Sequence, residues 1–490
     1  MRGPSLLALA LALLGCAASP PAATDAGPTQ DLAPPSDRAA LDAPEGPSDV
    51  PAAVDLGADT PAASDLGAAP SRDNVLLVIA DDFGVDQSPC HAVGRSFAPM
   101  PTLRALCARG VVFNQAWAAP TCSPTRAAIV TGRHGFRTGV GAQIVGNNSA
   151  ALPLTERTLP AVIQAAAPGS RTAACVGKWH LSNTMNGGAD HPATAGFGHF
   201  AGLLNGQLPD YNSWPRTVDG VTATSTRYAT SAQVDDALAW LSAQRGPWLL
   251  WLAFNAPHAP FHLPPAALHS YDHLAGLALP QRPVEHYRAM IEAMDTELGR
   301  LLDAIPAEAR ARTWVVFVGD NGTPRMVVGD PVPANHAKDT LYQGGVHVPL
   351  VIAGPGVVAP GRAVDALVHV VDLFPTILGW AGVDVAAARP DGRIDGVSLA
   401  PYLLRADAAP QRRWVYTELF DVSAPSAQDG RAIRDEAFKL LRFEDGRAEL
   451  YDLRADPQES RNLLTAPLSA EAMDHQTSLD AAMRALLAAP

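Results

Sequence analysis

The sequence of 490 residues predicts an α/β protein built on a large, mostly parallel sheet with helices packed against it. Three observations carry that expectation. Short unbroken apolar runs recur, each as long as a strand buried on both faces, and each stops at polar residues. Segments with helical apolar spacing lie between these runs. About 420 residues follow a low-complexity N-terminal stretch, enough for one large domain and a smaller appendage.

The N-terminal sixteen residues hold Arg2, an apolar run and then Leu13-Leu14-Gly15-Cys16. That run is too short to span a bilayer and reads as a signal peptide, residues 1–16. Its last four residues resemble the lipobox of bacterial lipoproteins, in which the cysteine is lipidated. The resemblance implies an exported protein held to the membrane by a lipid anchor only, and Ala17 in place of Asp points to the outer membrane. From Ala17 to Pro70 there is no aromatic residue, and ten prolines, nine acidic residues and one arginine are present. Such a segment cannot bury enough apolar surface to offset its ordering entropy, so residues 17–72 are expected to form a disordered tether. With nine acidic residues against one basic, it carries −8 of the net charge of −13. The acidity therefore says little about a functional site, and no basic stripe supports a nucleic-acid partner.

The folded part opens with NVLLVIADDFG, in which Val75 to Ala80 form a strand-like run ending at Asp81 and Asp82. The pattern returns in TAACVGKWH around Cys175, in WLLWLAFNAPHAPFH from Trp248 and in WVVFVGDNG from Trp314. Between the last two, Tyr287, Ile291, Met294, Leu298 and Leu301 repeat at helical spacing. In open parallel sheets ligands bind beyond the carboxyl ends of the strands. Asp81 and Asp82, Lys178 and His180, His258, and Asp320 and Asn321 should therefore meet at one edge. The carboxylates and the amide are hard oxygen donors that favour Ca2+ or Mg2+. Asp-Asp can also start a turn, and Asn321-Gly322 is a tight-turn dipeptide, but independent turns have no reason to follow successive buried strands. His262 has no comparable anchor and reads as structural.

The stretch TCSPTRAAIVTGR, from Thr121 to Arg133, reads as a helix with Ser123 as its cap, Pro124 in the first helical position and Gly132 closing it. Cys122 then lies at the positive end of the helix, where an anion is favoured. Around such an end, Arg126, Lys178, Lys338, His180 and His258 describe a site for a tetrahedral oxyanion. With Cys16 claimed by the lipobox, Cys90, Cys107, Cys122 and Cys175 remain, and their pairing is open.

These residues resemble the signatures of type I sulfatases of the alkaline-phosphatase superfamily. Cys122-Ser123-Pro124-Thr125-Arg126 matches the family's C-x-P-x-R motif and Gly177-Lys178-Trp179-His180-Leu181 its second signature. Asp81-Asp82, Ala256-Pro257-His258, Asp320-Asn321-Gly322 and Lys338 follow in order. The resemblance implies a mixed, mostly parallel alkaline-phosphatase-like sheet over 73–405 and a small C-terminal antiparallel sheet domain over 406–490. It implies that Cys122 is oxidised to formylglycine by a formylglycine-generating enzyme, and that Asp81, Asp82, Cys122, Asp320 and Asn321 hold one Ca2+, with Mg2+ the alternative. Arg126 would stabilise the aldehyde hydrate, with His180 assisting elimination. Lys178 and Lys338 would clamp the sulfate, and His258 would protonate the leaving alcohol of a sulfate-ester substrate. The chain departs from the family at His347 in Gly344-Gly345-Val346-His347-Val348-Pro349, where relatives carry arginine; Phe83 stands where the family varies. In the tail, HVVDLFPTILGWAG from His369 resembles the last helix of the family's main domain, and Glu444-Asp445-Gly446 between apolar runs reads as a hairpin turn.

Two other functions use the same residues: a formylglycine-dependent phosphonate monoester or phosphodiester hydrolase, and a non-catalytic binder of sulfated glycans. A two-metal phosphatase lacks a second ordered set of His and Asp ligands in the sequence. Specificity loops such as Asn183 to Trp214 carry no readable code for the natural substrate.

Overall fold

The four apolar runs that end in polar residues form neighbouring strands at the centre of one sheet. The computed structural model describes residues 73–277, 281–388 and 394–489; the signal segment with Cys16 and the tether 17–72 lie outside the described residues. The large sheet is built from β1 (Asn74–Ala80), β2 (Val111–Trp117), β3 (Thr172–Lys178), β4 (His199–Leu203), β5 (Trp214–Val218), β6 (Val221–Ser225), β7 (Trp248–Ala253), β8 (Thr313–Gly319), β9 (Leu350–Ala353) and β10 (Arg362–His369). Their order is β10-β2-β9-β8-β1-β7-β3-β4-β5-β6. Pairing is parallel from β8 through β1, β7 and β3 to β4 and between β10 and β2. It is antiparallel at β9 and in the β4-β5-β6 meander. The mixed, mostly parallel sheet expected from the sequence is what forms.

Both faces of the sheet are buried, which explains the unbroken apolar runs. Val75, Leu77 and Ile79 of β1 enter one core, and Leu76, Val78 and Ala80 enter the other, as the period of two in a strand requires. The helix Pro283–Ala304 closes the second core with Tyr287, Ile291, Met294, Leu298 and Leu301, all fully buried. At roughly 1.5–3 kcal/mol per buried large apolar side chain, that stripe alone secures the helix.

The C-terminal residues form an antiparallel sheet of β11 (Val415–Leu419), β12 (Gly430–Arg434), β13 (Phe438–Phe443) and β14 (Ala448–Asp452). The turn at Glu444-Asp445-Gly446 joins β13 to β14 with Gly446 at φ 89°. One face of this sheet covers Trp117 and Leu367 of the larger one together with Leu341 and Val346 before β9, and the helix Ala470–Ala488 packs on the other through Leu479, Met483 and Leu486.

Cys90 and Cys107 form a disulfide, and Cys122 and Cys175 are free and buried. No helix among the described residues is long and apolar enough to cross a membrane.

Candidate active site

The edge where β1, β3, β7 and β8 end collects every residue expected there. Asp81 and Asp82 follow β1 directly, Lys178 ends β3 with His180 just beyond it, and Asp320 and Asn321 follow β8. Asp82 and His180 take positive φ, 63° and 56°, a conformation that costs a non-glycine residue about 1–3 kcal/mol and is retained where side chains must be aimed.

The helix carrying Cys122 runs Cys122–Thr131 and is buried along its length. It starts earlier than the Ser123 cap and Pro124 start read from the sequence: Thr121 is the N-cap and Cys122 the first helical residue. Ser123 is not free to cap, because its Oγ accepts the backbone N–H of Ile144 at 3.1 Å. Gly132 ends the helix in the left-handed region at φ 71°, as expected.

A dense set of charges surrounds Cys122. Lys178 Nζ lies 2.9 and 2.7 Å from the two oxygens of Asp81, and Lys338 Nζ lies 2.6 Å from Asp82 Oδ1. Arg126 donates through Nε and Nη2 to Asp320 Oδ2 at 3.1 and 2.7 Å, and through Nη1 to the carbonyl of Lys178 at 2.8 Å. Arg126 thereby fixes Asp320, a positioning contact that the family resemblance did not supply. Asp320 Oδ1 in turn accepts the backbone N–H of Asp82.

The donor set fits a hard divalent cation. Ligand atoms of Asp81, Cys122 and Asp320 lie within 4.8 Å of one another. Asn321 donates through Nδ2 to Asp82 Oδ1 and to the carbonyl of Gly322, which leaves its Oδ1 buried and without a partner. A buried oxygen is not left bare without cost, and a cation beside Asp81, Asp82 and Asp320 would satisfy it.

The electrostatics follow from burial among these charges. Burial pushes the Asp81 carboxyl well up, with Lys178 opposing and Asp320 reinforcing. For Asp82, burial acts upward as well, but Lys338 and His258 outweigh it and hold the group ionised. The Cys122 thiol is pushed up by burial, against Lys178 and Lys338, so the unmodified side chain is a poor nucleophile here. Burial, aided by Lys178, holds the His180 imidazole neutral. Its Nε2 lies 2.9 Å from the carbonyl of Ile144, which fixes the proton there and leaves Nδ1 as a buried acceptor without a partner. His258 turns Nδ1 to the carbonyl of Ala259 at 2.8 Å and Nε2 toward Asp82, 3.7 Å away. Burial, with Lys178 and Lys338, brings its pKa down to about 4 against the pull of Asp82.

His258 and Lys338 are the members that keep some exposure, 14% and 9% of their side chains, so the approach to the cluster passes them. His262 is structural, as read: Nε2 meets the hydroxyl of Tyr228 and the ring packs on Tyr211. His347 lies outside the charged cluster, buried with Nε2 2.7 Å from the carbonyl of Asn114.

Several supporting contacts gave no signal in the sequence. Tyr287 donates to the carbonyl of Asp82 at 2.6 Å, and Thr323 donates to Asp86 at 2.7 Å, which ties the loop after β8 to the loop after β1. Gly206 lies against the His180 ring so closely that a Cβ there would overlap it.

Residues 73–383 match the sulfatase family model, and residues 335–486 match the model for the C-terminal region of N-sulphoglucosamine sulphohydrolase. The chain belongs to the sulfatase family. It is 30% identical over 355 residues to the uncharacterized sulfatase YdeN of Escherichia coli (strain K12), covering 66% of this chain and 60% of that relative. It is 28% identical over 385 residues to arylsulfatase G of Rattus norvegicus, covering 68% and 69%. The solved structure of Ps i-CgsB in complex with k-i-k-neocarrahexaose is similar in fold, with a TM-score of 0.69 at 22% identity over 84% of this chain and 92% of that one. Arylsulfatase G is by its name a sulfuric ester hydrolase.

Proposed function

We propose that this chain hydrolyses a sulfate ester of an alcohol, aryl or carbohydrate, to the free alcohol and inorganic sulfate, with Cys122 matured to formylglycine and one divalent cation, Ca2+, in the site. The observation that carries the proposal is the environment of Cys122: first residue of a buried helix, ringed by Asp81, Asp320, Arg126, Lys178 and Lys338. Asp81, Asp82, Asp320 and Asn321, with the residue at 122, would hold the cation, which supplies Lewis acidity toward a sulfate oxygen. An aldehyde hydrate at position 122 supplies one hydroxyl for attack and a second whose ionisation allows release of sulfate, so water need not attack sulfur.

The chain's own residues perform the rest. Lys178 and Lys338 neutralise the charge of the bound sulfate and of its transition state. Arg126 keeps Asp320 aimed and cannot lose its proton. His180, neutral with Nε2–H held by Ile144, offers Nδ1 to take a proton. His258 stands at the mouth, where the alcohol leaves; an anionic ester between Lys178 and Lys338 offsets their effect on its imidazole and favours the protonated form that donates to the departing oxygen.

The chemistry is tested by sulfate release from a small aryl sulfate. Turnover in the wild type that is lost in Cys122→Ala supports the proposal. Turnover of an aryl phosphonate with the sulfate untouched would replace it with the phosphonate hydrolase reading. The export signal with lipid-anchored Cys16 is proposed on the same footing, and membrane attachment that survives Cys16→Ser would refute the anchor.

A further inference from the structure

A cavity of about 510 Å3 opens along β10, the strand at one end of the large sheet, where the C-terminal sheet meets it. Gln115, Arg362, Tyr402, Arg405, Arg434 and Glu436 are among its walls, and no residue of the charged cluster around Cys122 is. Arg126, Arg137, Arg216, Arg412 and Arg454 each pair with a carboxylate. Arg362, Arg405 and Arg434 form no such pair among the described residues.

Arg434 is buried, 4% exposed, and its bonds run only to uncharged acceptors. Nε reaches the carbonyl of Asp435 at 2.8 Å, Nη1 the side chain of Gln115 at 2.9 Å and Nη2 the carbonyl of Glu436 at 3.2 Å. A guanidinium carries five N–H groups, so part of its donor capacity is unspent. Burial lowers its pKa to about 10 although Glu459, Asp435 and Glu436 pull the other way. Arg362 donates through Nη2 alone, to the carbonyls of Tyr402 and Arg405; its Nε and Nη1 are shielded from water and unpartnered. Arg405 is exposed and offers its backbone carbonyl, with its guanidinium uncommitted among the described residues.

A buried charge with no carboxylate in contact and orphaned buried N–H groups are each costly. Here the three arginines line one cavity of a size that suits a small organic ligand. An oxyanion supplies what all three lack, since the guanidinium fork matches sulfate and carboxylate oxygens. The carboxylates of Asp365 and Glu436 also border the cavity; Asp365 is engaged by Asn114 Nδ2 at 2.7 Å.

We propose that this cavity is a second anion site, distinct from the cluster around Cys122, that takes the sulfate or carboxylate group of an acidic saccharide. The oxyanion follows from the arginines; the saccharide rests on the proposed reaction. Binding is measured by calorimetry at low salt with a heparin hexasaccharide and, separately, an unsulfated oligogalacturonate. Arg405→Glu is expected to weaken at least one probe by about tenfold or more, the loss of one charge-assisted contact. The probe affected tells whether sulfate or carboxylate is taken. Arg104→Glu, the same charge change on an exposed residue outside the cavity, should leave that affinity near the wild type. Unchanged binding in Arg405→Glu, binding of neither probe, or an equal loss in Arg104→Glu overturns the site. Turnover of a small aryl sulfate is followed in parallel and should not respond to Arg405→Glu. If the wild type shows no such turnover while Arg405→Glu still weakens binding, the catalytic reading fails and the anion site stands.

Discussion

Gly206 lies against the imidazole of His180, and a methyl group at position 206 would overlap both Cε1 and Nε2 of that ring. Among the described residues the ring is hydrogen-bonded only from Nε2 to the carbonyl of Ile144. Gly206→Ala should push the ring off that carbonyl and misplace Nδ1. Misplacement of about 1 Å costs on the order of 10²-fold in rate. The expected outcome is a fall in kcat of that order with KM changed by less than about threefold, because Lys178 and Lys338 are untouched. Steady-state kinetics on an aryl sulfate, with a thermal melt to establish folding, check it; an unaltered kcat would show that the ring position is immaterial.

The bare Asn321 Oδ1 and the clustered carboxylates of Asp81 and Asp320 make cation binding a stability effect as well as a catalytic one. Added Ca2+ should raise the melting temperature, by the equivalent of about 2.7 kcal/mol at one hundred times its dissociation constant. Chelation should reverse the rise. In Asp320→Asn the response to Ca2+ should be lost or displaced to far higher concentrations. A melt insensitive to Ca2+, Mg2+ and chelator in the wild type would contradict the cation site.

How much of this arrangement could be read from residues alone depended on burial. β8, β1, β7 and β3 were legible because both faces of the sheet are covered, so the strands are uniformly apolar and their polar ends stand out. β10 was not, because its exposed half alternates: Arg362, Val364 and Ala366 are half-buried while Ala363 and Asp365 are exposed. Cys90 and Cys107 pair because the fold brings their Cα atoms to 6.5 Å, a distance no spacing in the sequence conveys. Ser123 read as a cap because capping is a local rule, whereas its hydroxyl is taken by Ile144, 21 residues away. Gly206 was invisible for a related reason: its role is the absence of a side chain beside one particular ring.

Glu418, in the C-terminal sheet, ties that sheet to the main domain by accepting the backbone N–H of Phe136 at 2.6 Å, and it also accepts the hydroxyl of Tyr416 in its own strand at 2.8 Å. Burial raises its pKa from 4.5 to about 7, against those two hydrogen bonds. The folded state therefore holds this proton between about pH 4.5 and 7 where the unfolded chain has released it. The sign follows: stability from this group is present at low pH and is lost as pH rises through about 7. The loss amounts to about 3 kcal/mol at most. Glu418→Gln removes the titrating group, with its amide oxygen able to accept the Phe136 N–H and its NH2 to donate to the Tyr416 hydroxyl, so its melting temperature should fall less than that of the wild type from pH 5 to pH 8. Parallel slopes for the two proteins would remove Glu418 from the account.

The most direct test of the central claim is a mass spectrum of the tryptic peptide Gly110–Arg126, which holds Cys122 as its single cysteine. The protein must come from cells able to mature it. The account predicts that the residue at 122 has exchanged one sulfur and two hydrogens for one oxygen, the signature of formylglycine. An intact thiol in folded protein that still turns over sulfate ester would contradict the mechanism. An intact thiol in folded protein that binds sulfated ligands without turnover would make the chain a binder that keeps the fold of its family.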